Sequence, residues 1–281
     1  GIYLCWNSLL MYYIKSLLGQ RILSCNIEIT TYFRFFQMYN SEIDYATLSN
    51  FTENEFYELV KDTISRLEHE KRLYPYDFIV VDEAQDLFDR GLDLFINSFS
   101  GYNRKGLLNG CSFVMYDVDQ SYSNSGRNIS ELADLISEYY SHFKLNEVKR
   151  SAQNPDIRKL SSDILDNPSI ISHSNFENQY PNISVIYHDD LQRVKRHIVK
   201  NILTPIREVD SSLRGNDCAL LIESTFLKGS YKGKEDLREL LIIKDIEELF
   251  DSNIGDTANK LRYTSILKFK GLEKKNVYLV I

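Results

Sequence analysis

Short apolar runs alternate along the chain with longer segments of helical periodicity. The runs predict β-strands at residues 2–5, 27–31, 78–82, 112–117, 184–188, 218–223 and 277–281. Several of them are continuously apolar instead of alternating. That pattern is typical of strands that are covered on both faces, as in the parallel sheets of α/β proteins.

Helical periodicity is clearest after Thr52. Thr52 and Glu55 have the spacing of a capping box, and the apolar residues that follow, up to Leu67, fall on one helical face. Further helices are predicted at 128–143, 154–165 and 235–250, the second with Asn154 as N-cap and Pro155 at its first position. Alternating strands and helices predict an α/β fold with mostly parallel sheets flanked by helices.

A new set of strands begins after about residue 145, which predicts two domains, 1–143 and 144–281. The first domain has room for a small helical insertion at about 38–73. The polar stretch 166–182 is predicted to be a loop.

Composition narrows the possible classes of protein. The chain has 281 residues, of which 43% are hydrophobic and 26% charged, and no apolar run approaches the ~20 residues of a membrane span. Its four cysteines are dispersed, which predicts neither a zinc site nor a disulfide framework and favours a reducing, cytoplasmic location. The formal net charge of −7 means that any nucleic acid would have to bind at a local basic or aromatic surface.

Acidic residues follow the predicted strand "FIVVD". Asp82 is positioned to hold Mg²⁺, and Glu83 to orient or deprotonate an attacking water. Gln85 and Asp86 are candidates to relay contacts to neighbouring elements, and Gln85 is also a candidate contact to the cofactor. The alternative is that the two acids only favour the N-terminus of the next helix.

Later segments carry further candidates for a nucleotide site. Gln120 follows the strand "FVMYD" as Gln85 follows "FIVVD", so it is a candidate to contact a γ-phosphate. Arg150 precedes the Pro155 helix and is a candidate arginine finger. Gly271 permits close approach of the backbone to a ligand, and Glu273 is a candidate acceptor for a ribose hydroxyl.

The order of these motifs resembles superfamily 1 DNA helicases of the UvrD/Rep type. "VVDEAQD", "DVDQ", the arginine before a helix and "LKFKGLE" are similar to four motifs of that family, and "IYLCWNSLL" and "IEITTYFRF" are similar to two earlier ones. The resemblance implies two RecA-like domains with ATP and Mg²⁺ between them, and movement on single-stranded DNA or on a duplex with a single-stranded tail. It implies DNA contacts at a set of residues near the strand ends: Trp6, Asn7, Thr31, Tyr32 and Tyr122.

The phosphate-binding motif of such enzymes, G-x-x-x-x-G-K-[S/T], occurs nowhere in the sequence, and the arginine-rich motif that follows "KGLE" in that family is also missing. We therefore expect both domains to be incomplete, with the phosphate loop supplied by a segment before Gly1 or by a partner protein. The small predicted insertion favours translocation or remodelling of protein–DNA complexes. The alternative is a degenerate or split subunit without ATPase activity that binds DNA or protein.

Overall fold

The computed structural model describes most of the chain, with gaps that lie mainly between the two sheets and within the second half. The described residues are 1–19, 26–101, 110–117, 134, 137–141, 143, 145, 155–167, 170, 176–208, 213–227, 237–244, 246–249, 260–269, 272 and 274–281.

The first half of the chain forms a four-stranded parallel sheet. Its strands are β1 (Ile2–Cys5), β2 (Glu28–Thr31), β3 (Ile79–Val81) and β4 (Ser112–Val114), in the order β2-β1-β3-β4. In the central pair, Tyr3 of β1 lies opposite Val80 of β3. The apolar runs of β1 and β3 became buried strands, as predicted, whereas β4 is partly exposed and ends at Val114 instead of residue 117. All four parallel strands end at the same edge of the sheet.

The second half forms another four-stranded parallel sheet. Its strands are β5 (Cys218–Ile222), β6 (Glu247–Glu248), β7 (Arg262–Ser265) and β8 (Asn276–Val280), in the order β6-β7-β5-β8. The sequence patterns did not reveal β6 and β7, because β6 has two residues and the stretch "RYTS" of β7 is largely polar. The α/β class with parallel sheets flanked by helices is confirmed.

The strand predicted at 184–188 is wrong. These residues are irregular, and Ile186 and Tyr187 are exposed. Neighbouring Ile183 and Val185 instead pack on a small apolar cluster around Phe176 and Tyr180. Side chains that favour a strand are here used to cover helices, since β propensity reflects packing on a half-buried surface more than the backbone itself.

Helices flank the two sheets, with some 3₁₀ turns and one π-helix at Ile198–Leu203. The α-helices within the described ranges are α1 (Ser8–Leu18), α2 (Tyr32–Tyr39), α3 (Tyr45–Ser49), α4 (Glu53–His69), α5 (Leu92–Phe99), α6 (Pro155–Asp166), α7 (Phe176–Gln179), α8 (Leu191–His197), α9 (Thr204–Arg207), α10 (Ser224–Leu227), α11 (Arg238–Ile243) and α12 (Ile266–Phe269).

Three sequence predictions about helices and loops have clear outcomes. The capping box of Thr52 and Glu55 is present at the start of α4, with both reciprocal hydrogen bonds. The helix predicted at 235–250 is wrong in extent, because α11 ends at Ile243 and strand β6 follows it. The stretch 166–182, predicted as a loop, contains the single turn α7.

Each sheet has its own hydrophobic core. The first is rich in aromatic rings, among them Phe35, Phe36 and Phe95, which pack edge to face at 5.0–6.1 Å between centroids. A third cluster joins the halves, because Leu9 of α1 is buried together with Leu221 of β5 and Phe269 of α12. The start of α1 thus lies against the second sheet. Across the described ranges, no helix is long and apolar enough to cross a membrane.

Candidate active site at the strand ends of the first sheet

The carboxyl ends of the four strands of the first sheet bring several predicted residues together. Thr31 ends β2, Trp6 follows β1, Asp82 follows β3, and Asp117 comes three residues after β4. The backbone links these ends tightly, since Asp82 N donates to Leu4 O at 2.9 Å and Met115 N to Val81 O at 2.9 Å. In open α/β sheets this edge is where ligands bind.

The Asp82 carboxylate is held by two donors. The hydroxyl of Tyr3, on the neighbouring strand, donates to Asp82 Oδ2 at 2.7 Å, and the backbone N–H of Glu83 donates to Oδ1 at 2.9 Å. Burial, and after it the negative charge of Asp82, raises the pKa of Tyr3 far above its ordinary value. The hydroxyl therefore keeps its proton and fixes the direction in which the carboxylate points.

Glu83 has a strained backbone. Its φ of 56° and ψ of 40° lie in the left-handed region, where few residues other than glycine are found. Its carboxylate accepts a hydrogen bond from Gln85 Nε2 at 2.7 Å, and Gln85 Oε1 accepts from the backbone N–H of Asp117 at 3.0 Å. Strain of this kind persists only where the surroundings enforce it, and it concentrates at functional sites.

Gln85 was predicted to contact a cofactor, but its side chain is fully buried. It links the end of β3 to the end of β4 through the two hydrogen bonds just described, so it lies behind Glu83. Gln85 therefore connects the ends of two neighbouring strands, and its buried side chain is not placed for a direct contact with a cofactor. Its position in this structure makes Gln85 a positioning residue for Glu83.

The carboxylate of Asp82 fits the way in which proteins usually bind Mg²⁺. Mg²⁺ in proteins is commonly held by one or two carboxylates together with waters and phosphate oxygens, and it rarely has an all-protein cage. Asp82 is half-buried, and each of its oxygens keeps a lone pair beyond the one hydrogen bond it accepts here. No group of three or more His, Cys, Asp or Glu suited to a metal occurs among the described residues.

Trp6 lies next to the same edge, half-buried against Phe33 at 5.3 Å between ring centroids. The guanidinium of Arg90 lies 5.5 Å from the Trp6 ring centroid, and its Nη2 pairs with Glu53 Oε1 at 3.0 Å. Arg90 thereby ties the indole to the first turn of α4. The indole is held in place without being enclosed, which is the condition for stacking on a nucleic-acid base.

Three of the predicted DNA contacts have structural roles in this fold, namely Asn7, Thr31 and Tyr32. Asn7 Oδ1 accepts from Leu10 N and caps α1, and Thr31 Oγ1 accepts from Arg34 N and caps α2. Tyr32 is fully buried in the first core, with its hydroxyl donating to Arg90 O at 3.3 Å. A base could reach the Tyr32 ring only if the ring left that core, so the expected DNA contact at Tyr32 is not supported by its position.

Other predicted site residues lie outside the described part of the chain. They are Gln120, Tyr122, Arg150, Gly271 and Glu273. Leu272, between the last two, is described and packs on a cluster that contains Cys5 and Leu10. Leu272 therefore lies in the region where β1 passes into α1, beside the end of β3.

Sequence reasoning missed two residues of this region. Tyr3 stands in the apolar run "IYLC" and reads as a core residue, and Arg90 follows the acidic cluster without any motif around it. For Tyr3 the available signal was a polar hydroxyl within the predicted apolar strand at 2–5. For Arg90 it was a lone cation within the apolar stretch "LFDRGLDLF".

Comparison of the sequence with protein-family models and with curated proteins finds no match.

Proposed function

We propose that this chain carries the magnesium and water half of a nucleotide-hydrolysis site in an ATP-dependent DNA helicase or translocase of the UvrD/Rep type. The two sheets correspond to two RecA-like domains in this proposal. The observation that supports it most is the arrangement at the end of β3, where Asp82 is oriented by Tyr3 and a strained Glu83 is held by Gln85.

Each residue has a separate role in the proposal. Asp82 holds Mg²⁺, and the ion would neutralise charge on the phosphates when bound. Glu83 orients and deprotonates the attacking water, while Gln85 fixes the Glu83 carboxylate. Gln120 and Arg150 contact the γ-phosphate, and Gly271 and Glu273 contact the nucleotide from the second domain.

The phosphate-binding loop is absent from this sequence and would come from another segment or a partner protein. The contact of Leu9 with Leu221 and Phe269 supports a nucleotide cleft between the halves, because it brings the second sheet against the strand ends of the first. Closure of that cleft would drive movement along single-stranded DNA.

Single-stranded DNA is proposed to pass over the edge that carries Trp6, with Tyr122 as a second contact. Asn7 and Thr31 would act there through the helix starts that they cap, because backbone N–H groups at a helix N-terminus attract phosphate. The free thiols of Cys5, Cys111 and Cys218 support action in a reducing compartment such as the cytoplasm.

A second candidate function is a binding module without hydrolysis. Both oxygens of Asp82 already accept hydrogen bonds inside the protein, so the carboxylate is satisfied without a cation. In that case the chain would dock DNA or protein, and nucleotide would have no effect on binding.

Trp6 is the only tryptophan in the chain, so its fluorescence reports on this edge directly. We expect a single-stranded oligonucleotide to quench it. When the segment or partner protein with the phosphate-binding loop is present, we also expect Mg-ATP to change the oligonucleotide affinity. With a labelled oligonucleotide, Trp6→Ala should weaken binding by roughly 5- to 100-fold, since stacking on one base contributes about 1–3 kcal/mol. The control Tyr187→Ala removes a ring that is 71% exposed in the second half and should leave affinity unchanged.

With the phosphate-binding loop present, DNA binding that is identical with and without Mg-ATP would favour the binding module over the translocase. Absence of quenching, together with normal binding by Trp6→Ala, would remove this edge from the DNA path.

A further inference from the structure

An open groove of about 510 Å³ lies on the helical segment between β2 and β3. Its apolar floor is formed by Ile43, Phe51 and Leu59, which are half-buried and pack on the first core from outside. Asn54 and three carboxylate residues of α4 complete the lining. The groove is shallow and open to solvent, which suits a segment of polypeptide better than a small molecule.

The charges of the groove all have one sign. Glu55, Glu58 and Asp62 stand at spacings of three and four residues and so form one stripe along α4. Hydrogen bonds from Thr52 lower the pKa of Glu55, which keeps it ionised at neutral pH. Glu58 lies 3.4 Å from Lys61, but both side chains are more than half exposed, so this pair screens the stripe only weakly.

We propose that this groove docks a basic amphipathic helix of a partner protein. Apolar side chains on one face of that helix would cover Ile43, Phe51 and Leu59, and its lysines and arginines would face the three carboxylates. The stripe from Glu55 to Asp62 is about 10 Å long, which two to three turns of a partner helix would span. The three carboxylates repel a nucleic-acid backbone, so this groove and the neighbouring Trp6 edge would take ligands of opposite charge.

A synthetic helical peptide of about four turns, with leucines on one face and arginines beside them, serves as the probe. Fluorescence anisotropy of the labelled peptide with the full chain should show saturable one-to-one binding that weakens as salt rises. The double variant Glu58→Lys/Asp62→Lys should weaken it by about tenfold or more. Both positions are exposed, so the variant should fold normally.

Two matched controls separate docking from general attraction of charge. The variant Glu68→Lys/Asp77→Lys changes net charge equally at exposed positions outside the groove and should bind the peptide almost as wild type does. A peptide with its leucines replaced by serines keeps its charge and should bind at least tenfold more weakly, because it loses the apolar contact.

The proposal is overturned if the peptide does not bind, if the serine peptide binds equally well, or if the control variant loses as much affinity as the groove variant. It is also overturned if the chain forms a dimer that Glu58→Lys/Asp62→Lys disrupts, since the occupant is then a second copy. The assay contains neither nucleotide nor DNA, so its result is independent of the proposed hydrolysis.

Discussion

At the scale of single residues, the orientation of the site depends on hydrogen-bond partners that lie far apart in the sequence. Asp82 and Glu83 are conspicuous in the sequence because two acids follow an apolar strand. Their orientation depends on Tyr3, which lies 79 residues away, and on the hydrogen bond between Gln85 and Asp117, which spans 32 residues. Such partners become neighbours only when the strands are placed in order.

Gln85→Glu tests the relay behind Glu83. The substitution keeps the shape of the side chain but replaces the donor to Glu83 by a second carboxylate in a fully buried position. We expect the free energy of unfolding, measured by urea denaturation, to fall by roughly 2–4 kcal/mol. Gln179→Glu, at an exposed position, should change it by less than about 0.5 kcal/mol. Equal stability of the two variants would mean that Gln85 does not fix Glu83.

The pairing of Arg90 with Trp6 and Glu53 illustrates why the rest of the site could not be read from sequence. Trp6 and Arg90 are 84 positions apart and share no motif, and the predicted contact of Trp6 was with DNA alone. The capping roles of Asn7 and Thr31 were equally hidden, because a polar residue before a helix is compatible with either a cap or a ligand contact.

At the scale of elements, local signals were reliable where they act within one element. The capping box of α4 and the buried strands β1, β3 and β5 all appear where the pattern placed them. The sequence patterns were wrong where contacts between distant residues determine the secondary structure. At 184–188, apolar side chains of this region cover a cluster of helices instead of joining a sheet. The patterns failed also for β6 and β7, which lack an apolar run.

The C-terminus of α4 offers a test of how this helix ends. Lys71 follows the helix in a left-handed conformation, with φ of 56°, and its side chain is exposed. Lys71→Gly should raise the free energy of unfolding by about 0.5–1 kcal/mol, because glycine adopts this conformation without strain. Lys61→Gly, in the exposed interior of α4, should lower it by about 1 kcal/mol.

Urea denaturation of the two glycine variants measures both effects with the same probe. A loss of stability in Lys71→Gly similar to that in Lys61→Gly would show that residue 71 belongs to a regular helical turn in solution.

At the scale of the whole molecule, two parallel sheets meet through α1 and α12. Leu9 is buried together with Leu221 and Phe269, and Leu272 packs on the cluster around Cys5. The strand ends of the first sheet therefore face residues of the second half. This arrangement supports a cleft in which a ligand touches both halves, the central feature of the proposed translocase.

The groove beside α4 adds a second surface, which favours positively charged ligands, whereas the Trp6 edge is proposed to bind nucleic acid. The carboxylate stripe of the groove repels the nucleic acid that the Trp6 edge is proposed to bind. A molecule with both surfaces would hold DNA at the Trp6 edge and a basic partner in the neighbouring groove along α4. The formal net charge of −7 agrees with two separate ligand surfaces, because an acidic protein has to bind nucleic acid at a local basic or aromatic surface.

The central claim is that Asp82 and Glu83 act in Mg-dependent nucleotide hydrolysis. The most direct test is ATP hydrolysis with Mg²⁺ and single-stranded DNA by the chain together with the segment or partner protein that supplies the phosphate-binding loop. Wild type is compared with Glu83→Gln and with Glu68→Gln as an exposed control. We predict hydrolysis that DNA stimulates, a loss of about 100-fold or more in Glu83→Gln, and normal rates in Glu68→Gln. Absence of hydrolysis in the wild type, or equal rates in wild type and Glu83→Gln, would contradict the claim.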